Sequence, residues 1–130
     1  MNVPCDEDQP ISVVVICGPT ASGKTDLALR LAEHFSVEIV SADSRQVYRG
    51  MDIGTAKATP EERAKVVHHL VDVVDPDEMF TAADFLSKGR KALRESVARK
   101  RLPLVVGGTG LYIEALLRGL VETPGADRLV

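Results

Sequence analysis

The chain has 130 residues, enough for one compact domain whose core needs no disulfide staples. Apolar residues make up 45% and charged residues 27%, a globular balance that excludes a disordered chain. A formal net charge of −3 gives no support to a dedicated basic nucleic-acid surface, so any RNA contact must be local or supplied from outside this sequence.

Residues 1–10 read as a mobile acidic leader. They have neither the basic start nor the apolar stretch of a secretory signal. The longest apolar run, Val13 to Cys17, is too short to span a membrane. Only two cysteines occur, Cys5 in the leader and Cys17 in an expected core strand, so the expected compartment is the reducing cytoplasm. The β-branched run Val13-Val14-Val15-Ile16-Cys17 predicts a strand buried on both faces of a parallel sheet. Leu27, Ala28, Leu31, Ala32 and Phe35 recur at helical spacing and predict a helix over 24–35. Val37 to Val40 is a second strand. Residues 41–64 read as a long loop with one helical turn, and loops of that length are usually functional.

Val66 to Val74 is a third apolar segment, ended by Asp75-Pro76. Thr81 and Asp84 form a capping box with Asp in place of Glu or Gln. The helix it opens runs to about Lys100, with Phe85, Leu86, Ala92, Leu93 and Val97 inward. Pro103 breaks the chain before a fourth strand, Leu104 to Val106, and Gly107-Gly108-Thr109-Gly110 leads into a last helix near 111–119. Strands alternating with helices predict a parallel α/β sheet over residues 11–130.

Gly18-Pro19-Thr20-Ala21-Ser22-Gly23-Lys24-Thr25 matches a phosphate-binding loop at every fixed position, with a strand before it and a helix after it. Its glycines let backbone N–H groups converge on phosphate oxygens, and the helix dipole points the same way. Lys24 adds a point charge, and the Thr25 hydroxyl is placed to ligate Mg²⁺. In hydrolytic nucleotidases an acid ends a neighbouring apolar strand. Here that strand ends in Gly107-Gly108, and Asp72 after Leu70-Val71 is a weak substitute. Asp43, just past the second strand, borders the expected crevice. It either takes a proton from an attacking group or caps a turn.

Gly108-Thr109-Gly110 lacks the third small residue of a dinucleotide fingerprint, because position 113 is Ile113. Its glycines still permit close backbone approach, which would let Thr109 present a hydroxyl. His68 and His69 are adjacent and point to opposite strand faces, so packing outweighs a shared metal. Arg99-Lys100-Arg101 reads as a solvated helix end.

These motifs occur in a fixed order together with Ser41-Ala42-Asp43-Ser44, Tyr48-Arg49-Gly50-Met51-Asp52-Ile53-Gly54-Thr55-Ala56-Lys57, His68-His69-Leu70 and Gly107 to Tyr112. Over residues 12–120 the chain resembles the N-terminal part of the tRNA dimethylallyltransferases. The resemblance implies a P-loop NTPase-like parallel sheet flanked by helices, truncated relative to the family, whose insertion and basic C-terminal part would follow. It implies transfer of a dimethylallyl group from dimethylallyl diphosphate to the N6 amine of an adenosine beside a tRNA anticodon, with Mg²⁺ and release of pyrophosphate. Gly18 to Thr25 would bind the diphosphate and Thr25 the metal. Asp43 and Thr109 would be catalytic, and Asp43, Ser44, Arg45, Gln46 and Thr109 would contact tRNA. The resemblance further implies a cytoplasmic monomer with no membrane partner. The alternatives are a small-molecule P-loop kinase, an adenylate isopentenyltransferase, and a phosphate-binding piece without turnover.

Overall fold

A computed structural model describes residues 2–3, 11–18, 23–50 and 57–118. In chain order the elements are β1 (Asn2–Val3), β2 (Ile11–Ser12), β3 (Val14–Cys17), α1 (Lys24–His34), β4 (Val37–Ser41), α2 (Pro60–Lys65), β5 (His68–His69), α3 (Ala82–Ala98), β6 (Leu102–Gly107) and α4 (Gly110–Arg118). Strands β3, β6, β4 and β5 lie in that order, and all three pairings are parallel. Parallel neighbours need crossovers, which α1, α2 and α3 supply in turn. The expected sheet with flanking helices is therefore present. Because β6 inserts between β3 and β4, the segments after β3, β4 and β6 emerge side by side at the carboxyl edge. That edge is where ligands bind in open α/β sheets.

Alternation along the central strands divides the core in two. Val40 and Val105 face α3 and α4, among Phe85, Leu93, Tyr112 and Leu116. The Tyr112 ring stacks on Phe85 with centroids 4.6 Å apart. Ile39, Leu104 and Val106 face α1, where Ala28 is fully buried. Burying each large apolar side chain stabilises the fold by about 1.5–3 kcal/mol. Two capping boxes fix helix starts. Thr81 and Asp84 bond reciprocally at α3, as expected, and Thr59 and Glu62 do the same at α2.

Several expectations change. Strand β3 is not buried on both faces: it is the sheet edge among the described residues, Val14 is 39% exposed, and Cys17 is exposed rather than a core residue. Pro103 does not break the strand before it starts. It lies inside β6 opposite Glu38, one position before pairing with β3 begins at Leu104, so its missing N–H falls where proline is tolerated. Within the leader, Asn2–Val3 pairs antiparallel with Ile11–Ser12, while residues 4–10 lie outside the described residues. The 41–64 stretch contains α2. Of Val66 to Val74 only His68–His69 is strand. Leu70 and Asp72 take φ of 69° and 61°, which ends the ladder. Val97 is 46% exposed, and Gly89 and Ser96 are buried on α3 instead.

Arg99 is more than a solvated helix end. Glu38 on β4 is completely buried beneath α3. Arg99 donates to it from Nε at 2.6 Å and Nη2 at 2.7 Å, Ser96 Oγ donates at 2.9 Å, and His69 Nε2 lies at 2.7 Å. The Arg99 bonds outweigh the opposing cost of burial and, with His69 and Ser96, hold the carboxyl at about 2. One carboxylate thus ties β4, β5 and the end of α3 together.

Candidate functional site

Gly23 takes φ 87° and ψ 12°, the left-handed region open to glycine, and α1 begins at the next residue with no side-chain cap. The first turn of α1, Lys24, Thr25 and Asp26, lies at the positive end of the helix dipole. It faces a cavity of about 430 Å³ whose wall includes Lys24, Thr25, Asp43, Gln46, Lys57 and His68. Ala28, Ile39 and Val106 give that wall an apolar portion. Pro19, Thr20, Ala21 and Ser22 lie outside the described residues.

Asp43 fills the second of its two expected roles, the turn cap, through one oxygen only. Its Oδ1 accepts from the backbone N–H of Arg45 at 2.7 Å and of Gln46 at 3.2 Å, closing a turn. The backbone bonds orient the carboxylate on the cavity wall, and Oδ2 has no hydrogen-bond partner among the described residues. Ser41 Oγ donates to Gln46 Oε1 at 3.0 Å and holds the end of the same turn.

Thr109 is brought to this turn from the end of the neighbouring strand, β6. Its Oγ1 accepts from Ser44 N at 2.9 Å, and its own N–H donates to the Ala42 carbonyl at 3.1 Å. The hydroxyl hydrogen remains available for donation. Thr109, Ser44 and Arg45 stand beside the cavity wall, whereas Asp43 and Gln46 form part of it.

Two glycines make this convergence possible. A Cβ on Gly107 would lie 2.1 Å from the Ala42 carbonyl oxygen. One on Gly108 would lie 2.9 Å from the Gly18 oxygen and 4.0 Å from Lys24 Nζ. Gly107→Ala must push β6 away from β4, a backbone clash that should cost about 3 kcal/mol. Denaturant unfolding checks this; a loss below about 1 kcal/mol would contradict the close approach.

Asp72 does not supply a second metal acid at the cavity. Lys57 Nζ donates to its Oδ1, and Arg63 Nη1 donates to Oδ2 at 2.8 Å. These cations hold the carboxyl below its usual range against the burial that raises it. Lys57 Nζ also donates to the Tyr48 carbonyl at 2.7 Å. Sequence reasoning missed Lys57 and His68 as wall residues. The signal was the Gly54-Thr55-Ala56-Lys57 stretch and the strand alternation that sends His68 and His69 to opposite sides.

Among the described residues no group of three His, Cys, Asp or Glu side chains is arranged to hold a metal. The Thr25 hydroxyl at the helix start offers one hard oxygen ligand. This fits Mg²⁺, which usually takes few protein ligands and completes its shell with phosphate oxygens and water. No described helix is long and apolar enough to cross a membrane.

A strand, a glycine loop and a helix start facing a cavity at the edge of a parallel sheet define a P-loop NTPase-like protein. The chain belongs to the IPP transferase family, whose model matches residues 46–130. It is 65% identical over 120 residues to tRNA dimethylallyltransferase 1 of Syntrophotalea carbinolica, covering 92% of this chain and 38% of that protein. It is 57% identical over 125 residues to tRNA dimethylallyltransferase 2 of Geotalea uraniireducens, covering 96% of this chain and 40% of that protein. The crystal structure of a full-length tRNA isopentenylpyrophosphate transferase from Bacillus halodurans superposes with a TM-score of 0.81 at 49% identity. That match covers 86% of this chain and 37% of the other. The chain therefore spans under half the length of the curated relatives it matches.

Proposed function

We propose that the cavity binds the diphosphate of dimethylallyl diphosphate in a protein that prenylates tRNA. The acceptor is the N6 amine of an adenosine beside the anticodon. The observation that carries this reading is the single cavity wall shared by Lys24, Thr25 and Asp43, in a chain of the IPP transferase family. The amine nitrogen attacks the prenyl carbon, the carbon–oxygen bond breaks, and the electron pair leaves with pyrophosphate. Lys24 and the positive dipole end of α1 stabilise that developing charge. The Mg²⁺ ligated by Thr25 supplies further charge neutralisation when bound.

Asp43 accepts the proton that the amine loses, through the oxygen not committed to the turn. Thr109, tied to Ser44, positions the nucleotide, and the Asp43 to Gln46 turn contacts the RNA backbone. The target base must leave its stack to reach the wall. The protein works in the cytoplasm as a monomer.

Incubating the protein with labelled dimethylallyl diphosphate, Mg²⁺ and tRNA should place label on adenosine and release equimolar pyrophosphate. ATP-dependent phosphorylation of a small acceptor, with unmodified tRNA, would overturn this reading in favour of a kinase.

A further inference from the structure

The geometry points to His68 as the proton-accepting group of the diphosphate cavity: its imidazole takes up a proton from solvent when a polyanion fills the site. This inference rests on the diphosphate reading proposed above. His68 sits on β5 opposite Ile39, with its side chain in the same cavity wall as Lys24, Thr25 and Asp43. His69 points the other way, to Glu38. The His68 Nδ1 lies 2.8 Å from the Val66 carbonyl oxygen. A carbonyl can only accept, so the proton of the neutral ring resides on Nδ1. Nε2 then carries a lone pair and has no hydrogen-bond partner among the described residues.

Burial is the largest influence and lowers the ring's pKa, so His68 is neutral in the empty site at pH 7. Arg63 and His69 push the same way, while the Val66 bond and Glu62 oppose them. The other charged groups on the wall are Lys24 and Asp26 from α1, Asp43 after β4, and Lys57, which is paired with Asp72. A diphosphate adds several negative charges to this part-enclosed space. That change favours the imidazolium and allows Nε2–H to donate to a phosphate oxygen. Diphosphate affinity therefore rises as pH falls from 8 to 6.

The test is ¹⁵N-histidine NMR on the full chain, with inorganic pyrophosphate as the probe. The free protein should show His68 protonated at Nδ1 near pH 7.5. Saturating pyrophosphate should raise its pKa by roughly one unit or more. His69, on the opposite face, should not move with it. In H68Q, the gain in pyrophosphate affinity between pH 8 and pH 6 should shrink by about three- to fivefold. An Nε2–H ring in the free protein, or a His68 pKa unchanged at saturation, overturns the inference while leaving the cradle intact. Pyrophosphate that shifts no resonance, including the amides of Gly23 and Lys24, overturns the diphosphate reading itself.

Discussion

Asp43→Asn is expected to slow dimethylallyl transfer by about 10²–10⁴-fold while leaving dimethylallyl diphosphate affinity within about twofold. Asparagine keeps the shape and the Oδ1 acceptor that closes the turn to Arg45 and Gln46. It removes the basic oxygen on the cavity wall. Single-turnover transfer combined with a direct binding measurement separates the two effects. Equal loss of rate and diphosphate affinity would show that Asp43 acts only by building the site. Asp43→Ala should cost more, because it also removes the turn's acceptor.

The second large effect concerns stability. Glu38→Ala is expected to destabilise the protein by about 3–5 kcal/mol, because it strips a buried polar cluster of its common partner. Ser96 is fully buried and loses its acceptor, as does His69. The same carboxylate sets the acid limit of the fold. Its ordinary value of 4.5 falls to about 2 in the folded chain, chiefly through the Arg99 bonds. A depressed folded value gives stability that is complete above pH 4.5 and is lost as pH falls toward 2. The amount is about 3 kcal/mol. Acid unfolding followed by circular dichroism should therefore show a transition in that window that Glu38→Gln flattens. An unchanged profile in Glu38→Gln would mean that another group governs acid stability.

Legibility varied along the chain for physical reasons. Periodicity exposed α1 and α3 because their apolar residues repeat at the spacing of a buried face, while the short apolar run Val37 to Val40 marked β4 and the turn at Gly107 to Gly110 marked the start of α4. The Thr81–Asp84 box gave the α3 start to the residue. Glycine and lysine spacing located the turn at Gly23 from which α1 starts, since few other structures require those residues in that order. Edge position is different. Val14 to Cys17 reads like a central strand, because sheet order depends on where β6 inserts and leaves no local trace.

Pairing across long separations was equally hidden. Glu38 lies 61 residues from Arg99 in the chain, and only the fold makes them partners. The basic run at Arg99 to Arg101 carries the same composition as a solvated helix end. His68 and His69 show the intermediate case. Alternation correctly predicted opposite faces, but not that one face would be a cavity wall and the other a buried carboxylate. Within the site, the turn at Asp43 was one of two readings the sequence offered, whereas its tie to Thr109 through Ser44 and the burial of Lys57 against Asp72 came only with the fold.

Calorimetric titration of the chain with dimethylallyl diphosphate in the presence of Mg²⁺ tests the phosphate cradle most directly. Saturable one-site binding should appear, displaced by pyrophosphate and weakened at least tenfold in Lys24→Ala. Lys24 supplies the charge at the start of α1, next to Gly108. Binding that is absent, or that is unchanged in Lys24→Ala, would contradict the assignment of this cavity to the diphosphate.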